Sequence, residues 1–219
     1  MLLTALLARF SVLILAAPSS TLASNLNSTT STSSLQPWQI TDLHTYTPSG
    51  RPGNTPYSTF SVSIVNPNNI PLPETRWGNL SFPPSTATCS TKWIDIYINE
   101  QPFDKVIPCE AAGFGEGKWT MEIQRANVSG YGPSPTRDFT LEFKMEESMV
   151  LNEGAVRLQF VGRMGFAVRE NLKLTCAASG FCNTWLDEEK KPLLVAPVVQ
   201  VQCLYGVCDG IFNTSSMRN

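Results

Sequence analysis

The sequence predicts an all-β fold: a single antiparallel β-barrel or β-sandwich, stapled by disulfides and with little helix. Three observations predict it. Apolar and polar residues alternate at period two through most of the chain, and the stretches between these runs are rich in Gly, Pro, Asn and Ser. Six cysteines follow an N-terminal segment of secretory type. At 219 residues the chain suffices for one domain of about 150 to 200 residues.

Residues 1–23 read as a signal peptide. Leu2 to Ala17 is mostly apolar with Arg9 its only charge, and the run from Phe10 to Ala17 is too short to span a bilayer. Small residues at Thr21 and Ala23 place a cleavage site before Ser24. Residues 24–37, SNLNSTTSTSSLQP, carry almost nothing apolar to bury and are expected to form a flexible Ser/Thr-rich leader. The folded domain is expected over 38–208, with a short tail over 209–219.

Taken in order, Trp38-Gln39-Ile40-Thr41-Asp42 opens the first strand, and Phe60, Val62 and Ile64 alternate with serines in the second. The third, Trp93-Ile94-Asp95-Ile96-Tyr97-Ile98, puts isoleucines on one face and Trp93, Asp95 and Tyr97 on the other, a face that either packs under a loop or second sheet or forms an exposed binding stripe. Further runs follow at Trp119, Met121, Ile123; at Phe139, Leu141, Phe143, Met145; and at Val156, Leu158, Phe160. The last two are Leu172, Leu174, Cys176 and Val199, Val201, Cys203. Turn-type segments at 48–56, 66–79, 113–117 and 129–136 separate several of these runs. No sustained 3.6-residue apolar period follows residue 24, and the best helical candidate is the short TWLDEEKK, with Thr184 as its cap.

All six cysteines lie after the leader, and an even count in a secreted chain argues for three disulfides. Cys89 and Cys109 bracket the third strand and pair most simply with each other. Cys176 and Cys203 both continue inward strand faces, which favours joining them and leaves Cys182 with Cys208. The local alternative, Cys176 with Cys182 and Cys203 with Cys208, satisfies the count equally. Sequons at Asn27, Asn79, Asn127 and Asn213 offer glycosylation sites on the same secretory route.

The opening Trp38-to-Asp42 strand, the PSGRPGNTPYS turn, the Phe60-to-Val65 strand, a Cys89–Cys109 pair spanning Trp93 and a late Cys176–Cys203 pair form a pattern. Over residues 38 to 203 it resembles the Alternaria major allergen family, secreted β-barrel proteins of filamentous fungi. The resemblance implies a β-barrel with two core disulfides, no catalytic centre, and a role as allergen, wall-associated protein or effector met by plant defences. It departs from the family where no cysteine precedes Cys89, so a covalent dimer is not expected.

The chemistry of the residues points the same way. The single histidine, His44, shares a strand face with Asp42, yet no G-x-S-x-G elbow supplies a nucleophile. A copper brace needs a histidine at the mature N-terminus, and zinc sites need tighter knuckles than C-x5-C and C-x4-C without histidine. Neither metal nor cofactor is therefore expected. Acidic residues such as Glu142 and Glu146 fall on the polar side of their strands, as solvated residues do, rather than as a facing pair across a cleft. A formal charge of −2 without blocks of like charge gives no nucleic-acid groove. No later segment approaches the roughly 20 apolar residues of a membrane helix, and SSMRN gives no anchor tail.

The expected function is that of an extracellular, non-catalytic interaction protein, working on plant apoplastic proteins or at the cell wall. The second reading is a carbohydrate-binding or wall-structural module using Trp93, Asp95 and Tyr97 as its surface. An extracellular hydrolase is the residual reading.

Overall fold

Period-two alternation becomes a run of strands each with one face inside. The computed structural model describes residues 35–72, 78–94, 100–112, 117–126, 132–151, 154–195 and 200–205, and for 151, 154, 155 and 200–205 it describes the backbone path. Along the chain these form β1 (Trp38–Thr47), β2 (Tyr57–Asn66), β3 (Ile70–Pro71), β4 (Ser81–Phe82), β5 (Ser85–Ile94), β6 (Val106–Ala112) and β7 (Lys118–Arg125). There follow β8 (Asp138–Leu151), β9 (Gly154–Ala167), β10 (Leu172–Cys176), β11 (Cys182–Leu186), β12 (Leu193–Val195) and β13 (Gln200–Tyr205).

The expected all-β class is what the chain adopts, as one curled antiparallel sheet. Its strand order is β10-β11-β1-β2-β5-β6-β7-β8-β9-β13, with β12 beside the start of β1 and β3–β4 as a separate pair. Strand β6 makes the corner. Its residues Cys109 to Ala112 pair with β5, whereas Val106 to Pro108 pair with β7. The two halves thus fold face to face, with Phe60 of β2 at 5.4 Å from Phe139 of β8 and Trp38 of β1 at 4.8 Å from Trp119 of β7, measured between ring centroids. Near the far edge Gly162 of β9 lies against Trp38 and Val195, so the sheet curls into a half-barrel.

The core is the sum of the inward positions: Phe60, Val62 and Ile64 from β2, Met121 and Ile123 from β7, Phe139, Leu141, Phe143 and Met145 from β8, Leu158 and Phe160 from β9. Burying one such side chain contributes about 1.5 to 3 kcal/mol, which is why the alternation decides which face turns in.

Three expectations are corrected. Cys176 pairs with Cys182, not Cys203, across the β10–β11 hairpin. The two are direct Cα partners 4.1 Å apart, while Cys203 lies on β13 opposite Leu158, at the other end of the strand order. Cys182 is therefore not available to Cys208, which lies outside the described residues. The Cys89–Cys109 pair forms as expected, between direct partners of β5 and β6 at the corner.

Thr184 does not cap a helix. It is buried in β11, and the turn of helix that follows is the 3-10 segment Glu188–Lys190, capped by Asp187, whose Oδ1 accepts from the Glu189 N–H. Just before β1, Leu35 packs on the core and Gln36 is hydrogen-bonded to Asn68. The expected signal segment 1–23, the expected leader up to residue 34 and the expected tail 209–219 lie outside the described residues.

Candidate functional site

Because inward positions are fixed by the core, the outward positions define the surfaces. Two stand out. The first spans β10, β11, β1 and β2. Strand register places Tyr46 beside Asn183 and Thr59 in one row, and His44 beside Trp185 and Ser61 in the next. Thr175 and Lys173 of β10 extend the two rows on one side. On the other, Lys92 and Ser90 of β5 continue them.

Tyr46, Trp185 and Phe181 are half-buried and His44 is exposed, while the alternate residues Thr45, Thr184 and Leu186 face the core. Phe181 sits on the approach to β11 with its ring 6.0 Å from that of Tyr46. The Lys173 ammonium is held by Asp187 at 2.8 Å and keeps that carboxyl below its ordinary range. Three aromatic rings thus share one outward face with hydroxyls, an amide and an ammonium.

Asp42 also lies outward, but its partner is Lys191 at 3.3 Å rather than His44.

The second surface is the outer face of β7, β8 and β9, and it is ionic. Glu142 points outward yet is only 3% exposed, because its neighbours cover it. Arg163 binds its Oε2, Lys144 lies 2.9 Å from its Oε1, and Gln124 Nε2 donates to its Oε2 and to Glu122 Oε1, both at 3.1 Å. Burial raises the Glu142 pKa, but hydrogen bonds and charges from Lys144 and Arg163 outweigh it and leave the carboxyl below its ordinary value. Glu146 is held low chiefly by Arg157 at 2.5 Å, with Gln159 donating at 3.0 Å. Beside this network Val106, Thr120, Met121, Glu122, Glu142 and Lys144 line a shallow recess.

A general acid for glycoside hydrolysis needs a raised pKa near a second carboxylate. Among the described acids Glu147 alone is raised, to about 7 by burial, and it faces the core on the opposite side of β8 from Glu142 and Glu146. These carboxyls do not flank one cleft.

The comparisons name no relative. No protein-family model, curated protein or solved structure matches the chain. The allergen-family resemblance rests on its sequence anchors, of which the Cys176–Cys203 pair is absent and Cys89–Cys109 is present.

Of the residues read as either a packed face or a binding stripe, Trp93 is packed: it is a core side chain, 3% exposed, on the same face of β5 as Ala87 and Cys89 and opposite Ser58. Asp95 and Tyr97 lie outside the described residues. Asn79 is exposed just after Gly78, whereas Asn27, Asn127 and Asn213 lie outside. Sequence reasoning missed Tyr46, Phe181 and Asn183 altogether. They meet only through the pairing of β1 with β11, which no local pattern announces.

Proposed function

We propose that this protein is a secreted, non-catalytic interaction domain of the fungal allergen- and effector-like kind, which binds a macromolecular partner outside the cell through the aromatic face of β11 and β1. The observation that carries the reading is the pair of rungs that sets Tyr46 beside Asn183 and His44 beside Trp185, with Phe181 against Tyr46. Rings with polar edges give large contact area at low entropy cost and dominate the energetics of recognition surfaces. The two disulfides, at the β5–β6 corner and across the β10–β11 hairpin, support a life in an oxidising compartment, and the signal-type N-terminus supports the route there. The exposed Asn79 sequon suits a glycan added on that route.

The partner class proposed first is a plant apoplastic protein. A wall polysaccharide is the second reading, favoured by Thr59, Ser61 and Ser90, whose rows place hydroxyl side chains beside the rings. The surface for it is Trp185 and Tyr46, since Trp93 is buried.

The test is capture by the mature secreted protein from apoplastic extract, and retention on insoluble glucan, chitin and cellulose, each compared with W185A and Y46A. Capture of extract proteins lost in both variants supports the first reading, and polysaccharide retention lost in both supports the second. Unchanged binding by folded variants, or no binding of either class, overturns the assignment of this face.

A further inference from the structure

Glu147 plays no part in either outer surface. Along β8 it continues the inward series Phe139, Leu141, Phe143 and Met145, so a carboxyl occupies a position where its predecessors are all apolar. It stands opposite Leu158 of β9 and is 2% exposed. Among the described residues it has no hydrogen-bonding or ionic partner, and burial alone raises its pKa, to about 7. Its carboxylate lies against the backbone of Gly117, where a Cβ would stand 2.5 Å from Oε1 and 2.9 Å from Cδ. A side chain at 117 would displace the carboxyl from this position.

The charged groups on the neighbouring elements face away. Lys118 of β7 is rung partner to Glu146 on the outer side, and Glu146 takes Arg157 and Gln159 of β9. Glu142 is satisfied on that same outer side by Arg163 and Lys144. From β9 the residue directly opposite is the apolar Leu158, and just before β7 the neighbour is Gly117, without a side chain. Nothing described on β7, β8 or β9 compensates a charge on Glu147.

We infer that Glu147 is a proton-controlled latch joining the start of β7 to the C-terminal part of β8. Neutral, the carboxyl stays packed beside Gly117 and closes this end of the half-barrel. Ionised, it moves toward water, and the start of β7 and the C-terminal part of β8 open with it.

The direction follows from linkage. The folded pKa lies above the ordinary 4.5, so closure is fully favoured below that value. It weakens as pH rises from about 4.5 to about 7 and changes no further above. Each unit of raised pKa corresponds to about tenfold in the closing equilibrium.

The experiment is amide hydrogen exchange of the mature protein at pH 5 and pH 8, corrected for intrinsic exchange, beside E147Q. The wild type is expected to open at least about tenfold more at pH 8 across Lys118–Thr120 and Ser148–Val150, while E147Q shows the same protection at both pH values. Carbon-detected NMR titration of the wild-type Glu147 carboxyl keeps the test decisive if E147Q fails to fold. A midpoint near 7 supports the latch, and a midpoint in the ordinary carboxylate range, or a matching pH response in E147Q, overturns it.

Discussion

Gln36 and Asn68, 32 positions apart, are joined by two hydrogen bonds that imitate a rung of β-sheet: the Gln36 N–H donates to Asn68 Oδ1 at 2.7 Å, and the Gln36 carbonyl accepts from Asn68 Nδ2 at 2.9 Å. Asn66 Oδ1 supports the arrangement by accepting from the Asn68 N–H at 3.0 Å and from Nδ2 at 2.7 Å. A side-chain amide thereby fixes how the chain enters β1. Asn68→Ala removes both bonds to Gln36 and one of the two donors to the buried Asn66 Oδ1, and the expected loss is about 2 to 3 kcal/mol in urea unfolding. Limited proteolysis should then cut first near Leu35. An unchanged midpoint would show that the clasp adds nothing.

The two described disulfides should differ in weight. Cys89–Cys109 closes a separation of 20 residues and Cys176–Cys182 one of 6. In the chain-entropy picture their removal costs about 3 and about 2 kcal/mol. Paired alanine variants compared by denaturation give the order, and non-reducing peptide mapping must recover a Cys176–Cys182 fragment.

Gly162 marks where the curled sheet meets itself. A Cβ there would stand 2.9 Å from Trp38 Cε3 and 2.9 Å from Val195 Cγ1, both in the core. Gly162→Ala is therefore an overpacking substitution, expected to cost about 1 to 3 kcal/mol. Near-UV circular dichroism should report the displaced Trp38, which packs on Trp119. Full stability with an unchanged tryptophan signal would place β9 farther from β1.

How far the sequence reaches depends on whether a signal is local. Phe60, Val62 and Ile64, or Phe139 through Met145, carry their alternation within one strand, so strand identity and inward face were legible together. Trp93 shows the limit of that rule, since both faces of its run carry large apolar side chains. The phase is set by Ala87 and Cys89, which share its parity and turn inward with it, a signal present in the sequence but upstream of the run that was read. Cys176 misled for a related reason: it has the parity of buried Leu172, but at the end of β10 it is exposed, and only its rung with Cys182 fixes the bridge. The rows of Tyr46 with Asn183 and His44 with Trp185 depend on strands more than a hundred residues apart in sequence. No local pattern encodes such a pairing.

Glu142 gives a pH dependence opposite in sign to that of Glu147. Its folded pKa is depressed below the ordinary 4.5, because hydrogen bonds and charges from Lys144 and Arg163 overcome the effect of burial. A depressed carboxyl contributes stability that is present above its unfolded pKa and lost as pH falls through the folded one. Glu142→Gln should therefore be less stable than the wild type at pH 7, and the gap should close as pH falls below 4.5. Arg163 is 61% exposed and Lys144 38%, so solvent screening holds the expected gap at pH 7 to about 1 kcal/mol. Raising salt should shrink the gap only in part, since Glu142 itself is covered while its partners are not. Urea midpoints of both proteins between pH 3 and pH 7, at low and high salt, decide the matter. A gap that persists unchanged at pH 3 would assign the cost to lost packing around Gln124 and Arg163 rather than to the charge.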